Sequence, residues 1–585
     1  MSATATRDAR IPDLDAARPQ ITSERLIALV LMAYLAWQVI VPLVALLFSS
    51  FKDVRPSDPA FLDFSFTLEN FRTVFSDRRL WTITGTTALF AVSSSVLALV
   101  IGTFLAWVTT QTNAPFRFLV GSLVLYQLAV PELLSPISWN FLLGRDIGYI
   151  NVLWRDLTGA TGPLLDIQSL PGMIWVQAFL LIPVVYLFAV PAISGIDRSL
   201  EEASLTSGGS RFDVLRHVTL RLAAPALMAI LVLVIVRAWE SFEVPWLLGV
   251  PVGIQTYATQ IYYSTITPPS NTGLIAGYAV PMLAVAVALV LWYGRFNKQA
   301  GRYATVSGKS YRSEITKLSG WARWTLSAAA LGLVGVGVLL PILMLFWMSL
   351  LPFYRAPSLA ALEFTSFDAY TRVVTNDRII DAFVNSLIIG IGCALIIMIV
   401  STLSAWLVLR SRVRFRRTID TLTFLPMSIP NIIVGICFLW LYFLLPVPLI
   451  GNHFGVMLAY VTLFLAIGAR NVYARMHQLH PELDEAARVS GASSLSVLRT
   501  VTLPGLAPAV LASVIYIIVW AFKELPNALL LSSSTTRTAA AFIFDMSTAS
   551  TIGEQAAVGL VVLGFLVLLV IVFQRLARRY GLRGF

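Results

Sequence analysis

Two short charged stretches interrupt apolar sequence. One reads Arg237-Ala-Trp-Glu240-Ser-Phe-Glu243-Val-Pro245, the other Lys523-Glu524-Leu-Pro526. Charges set in apolar runs are costly in hydrocarbon, so they face a protein interior or a watery path and pair with one another. Their chemistry is electrostatic: holding charge or passing it. Arg237 and Glu240, three residues apart, share a helix face and can form an ion pair. That pair reads as a structural lock between helices or as pathway lining. Glu243 and Glu524 each precede a proline by two residues, and Pro245 and Pro526 break or kink a helix by removing a hydrogen bond. The two carboxylates read equally as an outer gate or as hydrated charges at the membrane interface. Nothing in the sequence suggests a catalytic or metal centre. His217, His453, His477 and His480 are scattered, and Cys393 and Cys437 both lie in apolar runs, so neither a metal set nor a disulfide framework emerges.

A second pattern recurs in two polar segments. Glu202-Ala203-Ser204-Leu-Thr-Ser-Gly208 is followed by Val218-Thr219-Leu220-Arg221, and Glu485-Ala486-Ala487-Arg-Val-Ser-Gly491 by Val501-Thr502-Leu503-Pro504. Each opens as a short helix with small side chains on one face. Gly208 and Gly491 suit its end, because glycine accepts the positive φ of a helix C-cap. Ser210 and Ser493 stand where they can N-cap a second short helix. The expected result is a helix-turn-helix outside the bilayer that another protein can approach closely. A single copy would read equally well as an ordinary hairpin; two copies at equivalent places favour docking. Gly308-Lys309-Ser310 resembles the end of a phosphate loop, but the glycine required five residues earlier is Tyr303 and no apolar strand precedes it. The chain is therefore not expected to hydrolyse ATP.

The elements that position these residues follow from composition. Of 585 residues, 57% are hydrophobic and 12% charged, whereas a soluble domain runs near roughly 45–50% and about 25%. This is an all-α polytopic membrane protein. A span needs about 20 apolar residues. Twelve stretches qualify: 26–50, 83–109, 117–143, 170–193, 222–250, 273–294, 324–350, 381–409, 418–445, 455–474, 505–531 and 556–574. The run 26–50 is too long for a signal-peptide core and reads as a retained span. Pro131-Glu132 and Pro430-Asn431 fall inside the third span of each half, as a gate hinge or as plain packing. The net charge of +11 comes from Lys and Arg crowding the segments on the side of both termini, which places both termini in the cytoplasm. The first outer loop, with Lys52, Arg55, Arg72, Arg78 and Arg79, is the exception. No basic stripe with interleaved aromatics occurs, so no nucleic-acid partner is expected.

The chain also repeats itself. Ala106-Trp107 recurs as Ala405-Trp406 and Pro131 as Pro430, a shift of 299; Glu202-Ala203 recurs as Glu485-Ala486, a shift of 283; Glu243 recurs as Glu524, a shift of 281. The extra residues of the first half lie in the outer loop 144–169. The organisation is a cytoplasmic tail (1–25), a first half (26–294), a cytoplasmic linker (295–323) and a second half (324–585). Six spans per half is an even number, so the halves run parallel about a pseudo-two-fold axis along the membrane normal. Ser310 is expected inside and Ser270 outside.

The second hairpin matches the EAA---G---------I-LP signature of ABC importer permeases, with Val501 at the isoleucine position. The first departs at Ser204 and Arg221. Lys523-Glu524-Leu525-Pro526 followed by Leu529–Leu531, its counterpart Phe242-Glu243-Val244-Pro245, and the linker Tyr303–Lys309 resemble fused, two-half iron(III)-type permeases; related permeases carry thiamine, phosphonates, polyamines or sulfate. The resemblance implies a type I permease architecture without ATPase activity or bound cofactor of its own. Two copies of a separate ATPase, which hold the ATP and Mg, would dock through Glu202, Ala203, Ser204, Gly208, Glu485, Ala486, Ala487 and Gly491. An extracytoplasmic solute-binding protein would deliver solute, in a bacterial inner membrane. Any iron ligands would belong to the binding protein. A twelve-span secondary transporter would instead show mid-membrane coupling carboxylates without docking hairpins, and a membrane enzyme a cluster of catalytic His, Asp or Ser.

Overall fold

Proline decides where this chain departs from straight spans. The structure, a computed structural model, describes residues 23–268, 271–300, 318, 320–411, 413–547 and 552–579. The tail before Ser23, Ser270 and most of the linker, including Tyr303 and Gly308-Lys309-Ser310, lie outside the described residues. Among the described residues, ten helices are long and apolar enough to cross a membrane: Ser23–Ser50, Arg78–Gln111, Leu170–Ser194, Val214–Trp239, Thr272–Arg295, Gly320–Ser349, Asp377–Leu409, His453–Gln478, Ser494–Lys523 and Ile552–Val572. The expected spans 117–143 and 418–445 are each two arms. Arg117–Ala129 meets Leu134–Leu143 at 111°, and Arg416–Ser428 meets Asn431–Leu444 at 110°. Pro131 and Pro430 sit at the bends. Proline pushes the preceding residue out of the helical region, and Val130 (ψ 126°) and Ile429 (ψ 119°) are extended.

Each bent pair still crosses. Ser327, near the start of Gly320–Ser349, donates to Pro115 O at 2.6 Å, while Tyr354, just past that helix's end, donates to Phe141 O at 3.3 Å. The first pair therefore runs from one end of a full span to the other. The second does the same beside His453–Gln478: Arg410, just before it, donates to Met476 O at 3.0 Å, and Tyr442 within it donates to Gly455 O at 2.7 Å. Counting each bent pair as one span gives twelve among the described residues.

The fifth span of each half ends earlier than expected. In place of unbroken 222–250 and 505–531, helix ends at Trp239 and at Lys523, the chain breaks, and it resumes at Glu243 and at Pro526. Proline suits a first helical position, where its missing N–H costs nothing.

Second and fourth spans pack closely within each half, through glycine. A Cβ on Gly102 would come within 2.6 Å of Val185 Cγ1, and one on Gly468 within 2.5 Å of Ile397 Cγ2. Small residues let membrane helices approach this way. The first span of each half crosses to the other. Ser23–Ser50 packs on the second half's bent pair, and its Gln38 donates to Thr462 Oγ1 at 2.8 Å. Gly320–Ser349 packs on the first half's bent pair. Neither half closes its core alone.

Candidate functional site

The two polar motifs fold as the spacing predicts in their first part. Helix Arg198–Thr206 is capped by Asp197, which accepts from Ser199 N at 3.0 Å; helix Pro481–Val489 opens on proline. Gly208 and Gly491 both end their helices at φ +87°. The second short helix differs from expectation. Ser493 caps the start of Ser494–Val497, accepting from Ser496 N at 3.3 Å, but that helix runs through a wide π-type turn directly into the fifth span. The first copy likewise runs through Val214–Thr219 into its span. There Ser210 Oγ accepts from Asp213 N, while Ser210 N and its hydroxyl hold the Asp213 carboxyl below the usual range.

Glu202, Ala203, Gly208, Glu485, Ala486 and Gly491 are exposed, and Ser204 and Ala487 half-buried. Apolar side chains stand exposed at equivalent places beside them: Leu200 and Leu483, Phe212 and Leu495. The hairpins are held rigidly by residues that the sequence reading passed over. Thr219 Oγ1 donates to Glu201 Oε1 at 2.7 Å, and Thr502 Oγ1 to Asp484 Oδ1 at 3.3 Å. Asp484 also pairs with Arg410 at 3.5 Å. The signal was available: an acid precedes the motif's Glu in both copies, and threonine recurs at the same distance.

The charged residues of the fifth spans converge where helices break. Arg237 Nη1 donates to Glu240 Oε1 at 2.9 Å, within one turn, and its guanidinium lies 5.1 Å from the centre of Trp520 in the other half. Lys523 Nζ lies 4.9 Å from the same ring and donates to Leu128 O, across the interface, at 3.0 Å. Glu240 accepts from the backbone N–H of Asn431, across the interface the other way. Each half thus grips the bend of its partner's third span. Glu524 is 5% exposed and accepts from Asn527 Nδ2 at 2.6 Å and Asn431 Nδ2 at 3.3 Å. Glu243 is 8% exposed and stands within electrostatic reach of Glu524. Neither carboxylate lies at an exposed rim.

Sequence reasoning missed the centre of this cluster. Glu132, at the first bend, acts electrostatically on Arg237, Glu240, Glu243, Lys523 and Glu524. Four carboxylates therefore meet two bases. Trp239 Nε1 donates to Met282 O at 3.3 Å. Met282 is ten residues into Thr272–Arg295, about 15 Å from the end remote from the hairpins. Nearer the hairpins, Arg470 and Tyr516 are exposed although both lie within spans. Tyr516 feels the charges of Arg237 and Arg470. A charge in a spanning helix is costly in lipid. Among the described residues, no group of three His, Cys, Asp or Glu side chains is arranged to hold a metal ion.

Comparison with known proteins bears on both sites. The family model described as binding-protein-dependent transport system inner membrane component matches residues 98–302 and again 397–581. Each match takes in one hairpin and one side of the charged cluster. The ferric transport system permease protein FbpB of Actinobacillus pleuropneumoniae is 23% identical over 498 residues, covering 82% of this chain and 69% of that protein. The Fe(3+)-transport system permease protein FbpB 2 of Haemophilus influenzae is 23% identical over 474 residues, covering 80% and 84%. The spermidine/putrescine transport system permease protein PotC of the same organism is 29% identical over 147 residues, covering 25% and 56%.

Proposed function

This chain belongs to the family of binding-protein-dependent transport system inner membrane components, and from that premise we propose which surfaces meet its partners and what solute it carries. It is the permease of an ABC importer, a multi-pass inner membrane protein working with an ATPase and a solute-binding protein and not itself an enzyme. In our reading two ATPase copies dock, one per hairpin, and both termini are cytoplasmic. The observation that carries this is the duplicated hairpin. It pairs an exposed Glu and Ala (Glu202-Ala203, Glu485-Ala486) with exposed apolar neighbours (Leu200 and Phe212, Leu483 and Leu495) on a rigid mount. Exposed apolar side chains rimmed by polar ones mark a protein contact. ATP and Mg sit on the ATPase subunits, which press on helices that run unbroken into the fifth spans. Arg237, Glu240, Glu243, Pro245, Lys523, Glu524 and Pro526 form the gate at the far end of those spans.

The solute in this reading is iron(III). The excess of carboxylates over bases at the junction of the halves favours a cationic cargo, and relatives named for ferric transport match most of the chain. The match to a spermidine/putrescine permease keeps polyamines, also cations, as the second reading. The test is ATP hydrolysis by the reconstituted complex with binding protein loaded with iron(III), spermidine, thiamine, a phosphonate or sulfate. Stimulation by iron(III) alone is expected; stimulation by sulfate or phosphonate alone would overturn the cationic reading.

A further inference from the structure

The two docking hairpins are not mounted alike. By the shift of 299 that relates the second spans, Arg410 in the second half stands where Gln111 stands in the first. Gln111 closes the helix Arg78–Gln111, and Arg410 directly follows Asp377–Leu409. Each reaches the end of the neighbouring fourth span, where the last carbonyls of a helix have no partner within it. Gln111 Nε2 donates to Ile193 O at 3.1 Å, and Arg410 Nη2 to Met476 O at 3.0 Å. Ile193 and Met476 are themselves equivalent, at the shift of 283. The halves share this contact but not its chemistry: one donor is a neutral amide, the other a fixed positive charge.

Arg410 makes two further contacts. Its Nη2 also donates to Leu479 O at 2.5 Å, at the entry to the hairpin, and its Nε lies 3.5 Å from Asp484 Oδ2 in the hairpin helix Pro481–Val489. The other oxygen of Asp484 accepts from Thr502 Oγ1 at 3.3 Å, in the π-type turn that leads into the fifth span. One side chain thus joins the end of the second span to the end of the fourth, to the hairpin and, through Asp484, to the start of the fifth. A cation is favoured at the C-terminus of a helix by the helix dipole. The side chains of Arg410 and Asp484 are 10% and 12% exposed, so salt screens the pair little. In the first half Glu201 takes the place of Asp484 and accepts from Thr219, but position 111 offers it no cation. Arg475 repeats the difference. Its Nε donates to Gly505 O at 3.3 Å, tying the fourth span to the fifth, and the equivalent first-half residue is Ala192.

We propose that Arg410 is a positioning residue that clamps the second hairpin to its half, so that a push from the ATPase subunit moves the second, fourth and fifth spans there as one body, while the first hairpin, tied at the same point by the neutral Gln111, yields more readily. This rests on the reading of the hairpins as ATPase docking surfaces. The second hairpin then carries the larger share of the coupling between hydrolysis and transport. Loss of Arg410 should reduce uptake per ATP and spare docking, because the docking residues Glu485, Ala486 and Gly491 are exposed and Arg410 belongs to the mount behind them.

The test uses the full chain with its ATPase subunits in proteoliposomes, supplied with binding protein loaded with iron(III). Arg410→Gln gives the second half the side chain of the first. It should leave ATPase capture unchanged and lower uptake per ATP by about fivefold, at the low end of ordinary coupling between sites. Arg410→Lys, which keeps a cation, should recover most of that loss. Asp484→Asn should also lower uptake per ATP, and Arg410→Gln/Asp484→Asn no further than the worse single change, because both break one tie. Gln111→Leu should cost less than Arg410→Leu. Unchanged uptake per ATP in Arg410→Gln, loss of capture in that variant, or equal losses in the two leucine variants would overturn the clamp. If the Arg410 variants do not reconstitute, hydrogen exchange in the wild-type chain decides. Amides of Pro481–Val489 should exchange several-fold more slowly than those of Arg198–Thr206, since exchange reports local opening; equal or faster exchange would overturn the clamp. Capture of the ATPase by wild type is measured first. Its failure would sink the docking reading, whereas wild-type capture and uptake with silent Arg410 variants sinks only the clamp.

Discussion

Gly491 offers the cleanest perturbation of the docking surface. Its φ of +87° lies in the left-handed region, and a Cβ added there would meet no atom within 4 Å. Replacement by alanine therefore costs backbone strain and no steric clash, roughly 1–2 kcal/mol. That is a factor of about 5 to 30 in the equilibrium between native and altered hairpins. Proline is a different case: its ring locks φ near about −65° and removes the N–H. Gly491→Pro therefore cannot keep the turn, and it deletes the bond from Gly491 N to Arg488 O at 2.9 Å. Neither change touches a span, so both proteins should insert in normal amounts. The assay is capture of the ATPase subunit by the purified chain, with uptake measured in parallel. Gly491→Ala should weaken capture several-fold, and Gly491→Pro should abolish capture and uptake. Undiminished capture by Gly491→Pro would refute the assignment of the hairpin as a docking surface.

Further outcomes follow from the same geometry. Ala486→Trp should block capture, and Ala203→Trp should act similarly but more mildly, since the first hairpin already departs from the family pattern; capture assays with each variant decide. Thr219→Val with Thr502→Val removes both bonds that anchor the hairpins, about 0.5–1.5 kcal/mol each; uptake per ATP should fall while ATPase capture persists. Glu243→Gln with Glu524→Gln should impair uptake and leave basal hydrolysis intact; uptake at the normal rate would move the pathway elsewhere. Gln38→Leu loses the bond that ties the first span to the other half, about 0.6 kcal/mol by the average measured inside membranes; thermal unfolding should shift down by a degree or two without loss of ATPase capture. Single cysteines at Ser270 and Ser310, in a chain lacking Cys393 and Cys437, should react with an impermeant reagent in intact cells only at position 270.

What the sequence disclosed was local or periodic. Apolar run length placed the spans, the shifts of 299 and 283 revealed the duplication, and Gly208 and Gly491 marked the helix ends. The charges at Arg237, Glu243, Lys523 and Glu524 stood out because apolar runs rarely tolerate them. What stayed hidden depended on contacts between distant segments. Proline announced a disturbance at Pro131 and Pro430, but a turn near 110° instead of a mild kink is set by neighbouring helices that satisfy the freed backbone. The exchange of first spans between halves leaves no trace in hydropathy, because a span buried against either half reads alike. Leu128 was unremarkable in the sequence, yet its carbonyl meets a charge once Lys523, nearly four hundred residues away, reaches across to it. The acids Glu201 and Asp484 were overlooked for a different reason. They lie one residue outside the motif that drew attention.

The most direct test of the account is uptake into sealed vesicles holding this chain and its ATPase subunits, with loaded binding protein outside and either ATP enclosed or an ion gradient imposed. Accumulation should require enclosed ATP and binding protein together and should disappear with Gly208→Pro and Gly491→Pro. Accumulation that follows a proton or sodium gradient without ATP would contradict it and would favour a twelve-span secondary transporter.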